Sequence, residues 1–217
     1  MEINKNNLAK RWGLLCVSLF IMAFGVAFSI KAGLGTSPIS SLPYVVSLFT
    51  PVTVGMATIC MHCVFIFLQI ILLRNKYKIT QLMQLPVAII FGYLTDFAVY
   101  ITRNIQCSSY IGQWIICIIG IILVGIGVNM EVRSKVITLA GEGLILAICE
   151  VFPIKFDNMK VVFDVSLVIT SCILSFIFLG KLKGVREGTI VAAICVGLVV
   201  KEVNKIIEYS RNRCVLN

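Results

Sequence analysis

The chain has 217 residues, 59% of them hydrophobic and only 13% charged, and a net charge of +9. A soluble domain carries about 45–50% apolar and about 25% charged residues. An excess of this size cannot all be buried inside one small globule, so much of it must face lipid, and a soluble single domain is excluded. The basic charge does not point to nucleic acid: Lys and Arg fall between hydrophobic runs or at the termini, as they do in cytoplasmic loops beside anionic headgroups.

A helix needs about 20 apolar residues to cross the hydrocarbon core. The polar, basic stretch Met1–Arg11 is followed by Trp12–Ile30, long enough to be a retained first span rather than a cleaved signal. Next comes Ala32–Thr50, AGLGTSPISSLPYVVSLFT, too short in its apolar part to span. Gly33 and Gly35 give the backbone freedom to reverse, Ser37 suits an N-cap and Pro38 the first helical position. The segment reads either as a helix lying on the bilayer or as a half-helix whose N-terminus points into a cavity. Spans follow at Thr53–Leu73 and, after the basic loop Arg74–Lys78, at Leu82–Ile101, which carries Pro86 and Asp96. The fourth span is Ile111–Met130. A second short segment, Glu131–Phe152, again opens on polar and glycine residues before a short apolar run. Spans at Val161–Leu179 and Gly188–Val203 complete an all-α, polytopic plan of about six transmembrane helices.

The order span, short segment, span, basic loop, span occurs twice, over residues 12–101 and 111–203. Gly25 then corresponds to Gly125, an offset of 100 (125 − 25), and Asp96 to Glu202, an offset of 106 (202 − 96). Three spans per half require the halves to be inverted in the membrane, a plan common among secondary transporters, with the site at the repeat interface. With the N-terminus in the cytoplasm, 14 of the 19 Lys and Arg residues lie inside, as the positive-inside rule asks. The basic loop KLKGVRE, with Lys181, Lys183 and Arg186, then lies outside.

GLGTSPISSLPY after the first span, and FDVSLVITSCILSFIFLGKLKGVREGT in the fifth and beyond it, resemble the YczE/YyaS/YitT group of bacterial membrane proteins. The similarity runs from about Arg11 to about Val203. It implies a multi-span protein of the bacterial plasma membrane whose activity is largely uncharacterised. The positions matching the motifs are Gly33, Gly35, Pro38, Asp96, Asp164, Gly184, Gly188 and Thr189. In the second half, VRSKVIT stands where such proteins often repeat the glycine turn.

A carboxylate at membrane depth is costly and by default a functional candidate. Asp96 and Asp164 are therefore candidates for coupling or gating, against the plain alternative that both reach headgroup water. Glu142 lies between Gly141 and Gly143 and is expected to pair locally with Arg133 or Lys135. Thr36, Ser37, Ser40 and Ser41 place hydroxyls beside a helix N-terminus, where backbone N–H groups and the dipole favour an anion, with Lys31 adding charge. Ordinary capping explains any one of them. A solute site between the halves would be lined by Thr36–Ser41 and Ala140–Gly143.

Cys60, His62 and Cys63 lie within the second span, but no further Cys or His cluster completes four ligands, so no metal is expected. The cysteines in apolar runs read as small buried hydrophobes. Ala23/Ala27, Ser171/Ser175 and Ala193/Gly197 suit close helix packing. There is no G-x-S-x-G, H-E-x-x-H or Walker signature, and an intramembrane aspartyl pair would need Asp96 and Asp164 to meet from opposite sides. Neither an enzyme nor a cofactor is expected. The first functional expectation is a permease for a small polar solute. The alternative is a membrane assembly or regulatory partner, or the substrate-binding membrane subunit of a multi-component importer. Beyond the lipid bilayer and the solute, a body of this size fits a homodimer or a partner membrane protein.

Overall fold

A computed structural model describes residues 5–105, 107 and 109–215. Met1–Asn4 of the basic leader, and the side chains of Lys5, Arg211 and Arg213, lie outside the described residues. Eight α-helices follow one another with no strand among the described residues: α1 (Lys5–Ala32), α2 (Pro38–Phe49), α3 (Val54–Leu73), α4 (Gln84–Ile101), α5 (Tyr110–Ser134), α6 (Ala140–Val151), α7 (Phe156–Leu179) and α8 (Glu187–Val215). The chain is a polytopic helical membrane protein. Five helices, α1, α3, α4, α5 and α7, are long and apolar enough to cross a bilayer. The sixth expected span is the apolar first part of α8, which is interrupted by Lys201 and Glu202. Pro86 falls in the first turn of α4, where its missing N–H would have no partner in any case.

Helices α1 and α5 form the centre and run antiparallel. Ser29 lies beside Gly120, Gly25 beside Val124, and Met22 and Ser18 beside Gly127. At the far end, the Arg11 guanidinium donates to the Ser134 carbonyl (2.7 Å) and the Lys135 carbonyl (2.9 Å). A Cβ on Gly25 would lie 2.8 Å from Val124 and 2.9 Å from the Gly120 carbonyl oxygen. Glycine on both helices lets the backbones touch, which is how membrane helices gain packing energy where lipid is as apolar as the side chains. Ala23 and Ala27 are fully buried in the same region. Ala193 and Gly197 face outward instead, and nothing lies within 4 Å of a Cβ at Gly197.

The remaining helices dress this pair. Helix α4 packs on α1 and α8 on α5, while α2 lies against α7 and α6 against α3. One core cluster joins α1, α4 and α5 through Leu19, Val26, Phe91 and Val124. Another joins α3, α6 and α7 through Phe65, Ile145 and Phe163, with Ile39 of α2 packed against it. The two basic loops end up at opposite ends of the bundle. Arg186 donates to the Gly33 carbonyl (3.1 Å), at the end of α1, whereas Thr80 and Gln81 share a cavity with Lys135, which Arg11 holds at the start of α1.

The outward faces are apolar, as lipid requires. Phe67, Ile71, Tyr93, Val161, Ile173 and Ile177 are each at least half exposed. Cys16, Cys60 and Cys63 also sit on this outer face as free thiols, which corrects the expectation that they are buried. His62 turns inward from the same helix, edge-on to Phe65 and Phe91.

Candidate functional site

Both short helices are twelve residues long. Their starts share a backbone path. The N-caps Ser37 and Leu139 have φ/ψ of −59°/153° and −58°/153°. Four residues before each N-cap the chain turns through the left-handed region, at Gly33 (φ 69°) and at Lys135 (φ 50°). Glycine adopts this conformation freely and lysine does not, so VRSKVIT makes the turn without the expected glycine. The two helix starts meet: a Cβ on Gly141 would stand 2.5 Å from Cδ1 of Ile39.

The first break is packed shut. Thr36 and Ser41 are fully buried, and Ser37 and Pro38 are buried too. Ser37 stands at the N-cap without capping the helix through its side chain. Its hydroxyl donates to Ser40 (3.0 Å). Ser41 donates to the Pro38 carbonyl (2.6 Å) and meets Ser171 of α7 at 3.0 Å. Gly35 (φ 98°) comes so close to Thr189 and the Arg186 amide that no Cβ fits, and the Gly188 amide donates to the Leu34 carbonyl (2.8 Å). Glu187, at the start of α8, is held below the usual carboxylate range, first by the backbone N–H at its own helix start and further by Arg186. Thr36 Oγ1 is the one hydroxyl here that is buried without a partner.

The second break is built from ionisable and amide groups. Glu131, 1% exposed, sits in the last turns of α5, and its Oε1 accepts the Leu139 amide at 2.7 Å. This carboxylate, eight residues before the N-cap, takes the N-cap residue's own N–H, the bond an N3 side chain makes in a capping box. Gln69 donates to the Ala140 carbonyl and to Gln84 Oε1, both at 3.0 Å. Gly143 leaves room for this amide pair, since a Cβ there would fall 2.5 Å from Gln84 Nε2. Glu131 Oε2, Gln69 Oε1 and Glu142 Oε2 are buried without partners. A cavity of about 290 Å³ opens beside them, lined by Glu131, Gln84, Lys135, Thr138 and the apolar Val136 and Leu146.

The other candidates occupy separate places. Asp96 caps α3, accepting from Thr53 Oγ1 (2.6 Å) and the Gly55 amide (2.7 Å). It also lines a shallow cavity of about 550 Å³ with Lys31 and Arg103. Neither cavity touches Thr36–Ser41. Asp164 pairs with Lys160 one turn away (2.8 Å), and both are charge neighbours of Glu142. Glu131 is the residue that sequence reasoning passed over. Its position at the end of a span, before VRSK, reads only as the polar opening of the second short segment.

The profile of a family of unknown function, DUF6198, matches residues 9–205. The chain belongs to that family. Among curated proteins it is 27% identical over 200 residues to the uncharacterised membrane protein YczE of Bacillus subtilis, covering 91% of this chain and 86% of the relative. It is 28% identical over 120 residues to the uncharacterised protein YyaS of the same organism, covering 55% of this chain and 58% of YyaS. An uncharacterised Haemophilus influenzae protein is 26% identical over 88% of this chain and 82% of its own length. No solved structure matches. These relatives bear out the resemblance carried by GLGTSPISSLPY and the α7–α8 motif. They support a membrane protein and name no solute.

Proposed function

We propose that this DUF6198 protein is a small-solute permease of the plasma membrane, built from two inverted repeats, with its N-terminus in the cytoplasm. The observation that carries this reading is the pair of non-spanning helices, each seated on the other half of the chain: α2 on α7, and α6 on α3. Their starts are 102 residues apart (140 − 38). Applied along the chain, that offset pairs Gly25 with Gly127, two residues from the Gly125 that sequence alone suggests. It carries the contact Gly25–Val124 onto Met22–Gly127, and both occur. Antiparallel α1 and α5 are what an inversion of this kind produces. Half-helix starts facing each other at the repeat interface are where transporters of this plan bind solutes.

The test is flux. Purified protein in liposomes loaded with a mixture of small polar solutes should equilibrate at least one of them faster than protein-free liposomes. Mass spectrometry of the external medium reads the result. Flux no faster than the control for any solute would remove the carrier reading. In that case the assembly-partner reading moves forward. It draws on α7, whose spanning stretch is only 22% buried and leaves a broad apolar face for a second copy or another subunit. Asp96→Asn separates two roles for that carboxylate. As the cap of α3, it should lower the detergent melting temperature by an amount equivalent to about 1 kcal/mol and leave flux per folded molecule within twofold. Loss of flux at unchanged melting temperature would make Asp96 a coupling group instead.

A further inference from the structure

The geometry points to the cavity at the second break as the binding site for a small zwitterion of the amino-acid kind, its ammonium group held by Glu131 and its carboxylate by Lys135. This deepens the permease reading and rests on it for the claim that the solute is carried. Three observations support it independently.

The first is the unfinished state of Glu131. Its Oε1 is satisfied by the Leu139 amide, while Oε2 is buried and has no protein partner. A buried carboxylate is tolerated only when paired or neutralised. The charged group that α6 sets against it is another acid, Glu142, so α6 supplies no countercharge. Glu131 lines the cavity, so a cation seated there would be the partner that this carboxylate lacks.

The second is the size and lining of the space. At about 290 Å³ it holds far more than a proton or a metal ion. Its walls mix the Gln84 amide and the Thr138 hydroxyl with Val136 and Leu146. That suits an organic solute with a polar end and a small apolar body.

The third is Lys135. It lines the same cavity four residues after Glu131, and it does so from a left-handed backbone that a glycine would occupy at lower cost. At the corresponding turn of the first half the residue is Gly33. A lysine that accepts this conformation beside a buried carboxylate gives the cavity a positive and a negative pole. A simple amine would leave Lys135 without a role, and a simple anion would be repelled by Glu131.

The experiment uses the purified full-length protein in detergent and titrates each of the twenty proteinogenic amino acids by isothermal calorimetry. At least one should bind, and its N-acetyl and methyl ester derivatives should bind at least about tenfold more weakly, since each removes one charge-assisted contact. Glu131→Gln keeps an oxygen for the Leu139 amide and the same shape, so the fold should survive while affinity falls at least about tenfold. Lys135→Gly relaxes the turn, so weaker binding by this variant cannot be blamed on misfolding. Binding by none of the twenty, equal binding of the N-acetyl derivative, or unchanged affinity in both variants would overturn the inference. The permease reading fails separately. Binding without flux leaves the zwitterion site standing and removes the carrier, whereas flux of another solute that Glu131→Gln leaves untouched keeps the carrier and removes the site.

Discussion

The two helix breaks follow one backbone path and carry opposite chemistry. At Gly33–Ser41 the path is closed: Gly35 admits the Arg186–Thr189 segment, and serine hydroxyls satisfy one another and Ser171. At Lys135–Gly143 the counterparts of Gly33, Gly35 and Ser41 are Lys135, Ile137 and Gly143, with Glu131, Gln69 and Gln84 around them and a cavity beside them. The path is set by the backbone and its left-handed turn. What the break can bind is set by a handful of side chains around it.

The largest effect should come from adding a single carbon to the closed side. Gly35→Ala forces a Cβ onto Thr189 from a φ of 98°. It should lower stability by about 2–3 kcal/mol, read as a drop in melting temperature in detergent. The matching change in the open half, Ile137→Ala, trims a half-buried side chain between the cavity and the α1–α4–α5 core and should cost about 1–2 kcal/mol. Copying the closed half into the open one comes next. Gly143→Ser puts a Cβ against the Gln69–Gln84 pair and should cost about 1–3 kcal/mol by the same assay. Ser41→Ala removes one buried hydroxyl contact with Ser171 and should cost about 1 kcal/mol. The smallest effects should come from exchanging the turn residues. Lys135→Gly should gain up to about 1 kcal/mol and Gly33→Lys should lose about the same, because nothing lies within 4 Å of a Cβ at Gly33. A Gly33→Lys cost several times larger would mean that the two turns are not equivalent.

Much of this plan is legible in the sequence. Twenty-residue apolar runs fix the spans, and the pattern Gly-x-Gly-x-x-Pro marks the start of α2 at the residue where it begins. The start of α6 is not marked in that way. VRSKVIT has neither glycine nor proline, and its turn rests on Lys135 accepting a conformation that local preference disfavours, held in place by Arg11 from 124 residues away. The hydroxyls of Thr36–Ser41 attract attention in the sequence because they cluster, but clustering lets Ser37, Ser40 and Ser41 satisfy one another and their neighbours. Glu131 carries no such mark. Its importance depends on Leu139 folding back over it and on α3 and α4 bringing two glutamines alongside, neither of which is local.

The contact between Ile39 and Gly141 has a consequence for how such a chain can come to exist. On the proposed twofold relation these two residues are counterparts, since they also stand 102 apart (141 − 39). A residue on a symmetry axis must face its own image. Two isoleucines at this spot would collide, as the 2.5 Å approach shows, and two glycines would leave a hole where the helix starts now touch. A pair of identical halves, encoded as separate copies of one polypeptide, cannot set a large residue against a glycine at this position. One continuous chain can, because each half is free to change without the other.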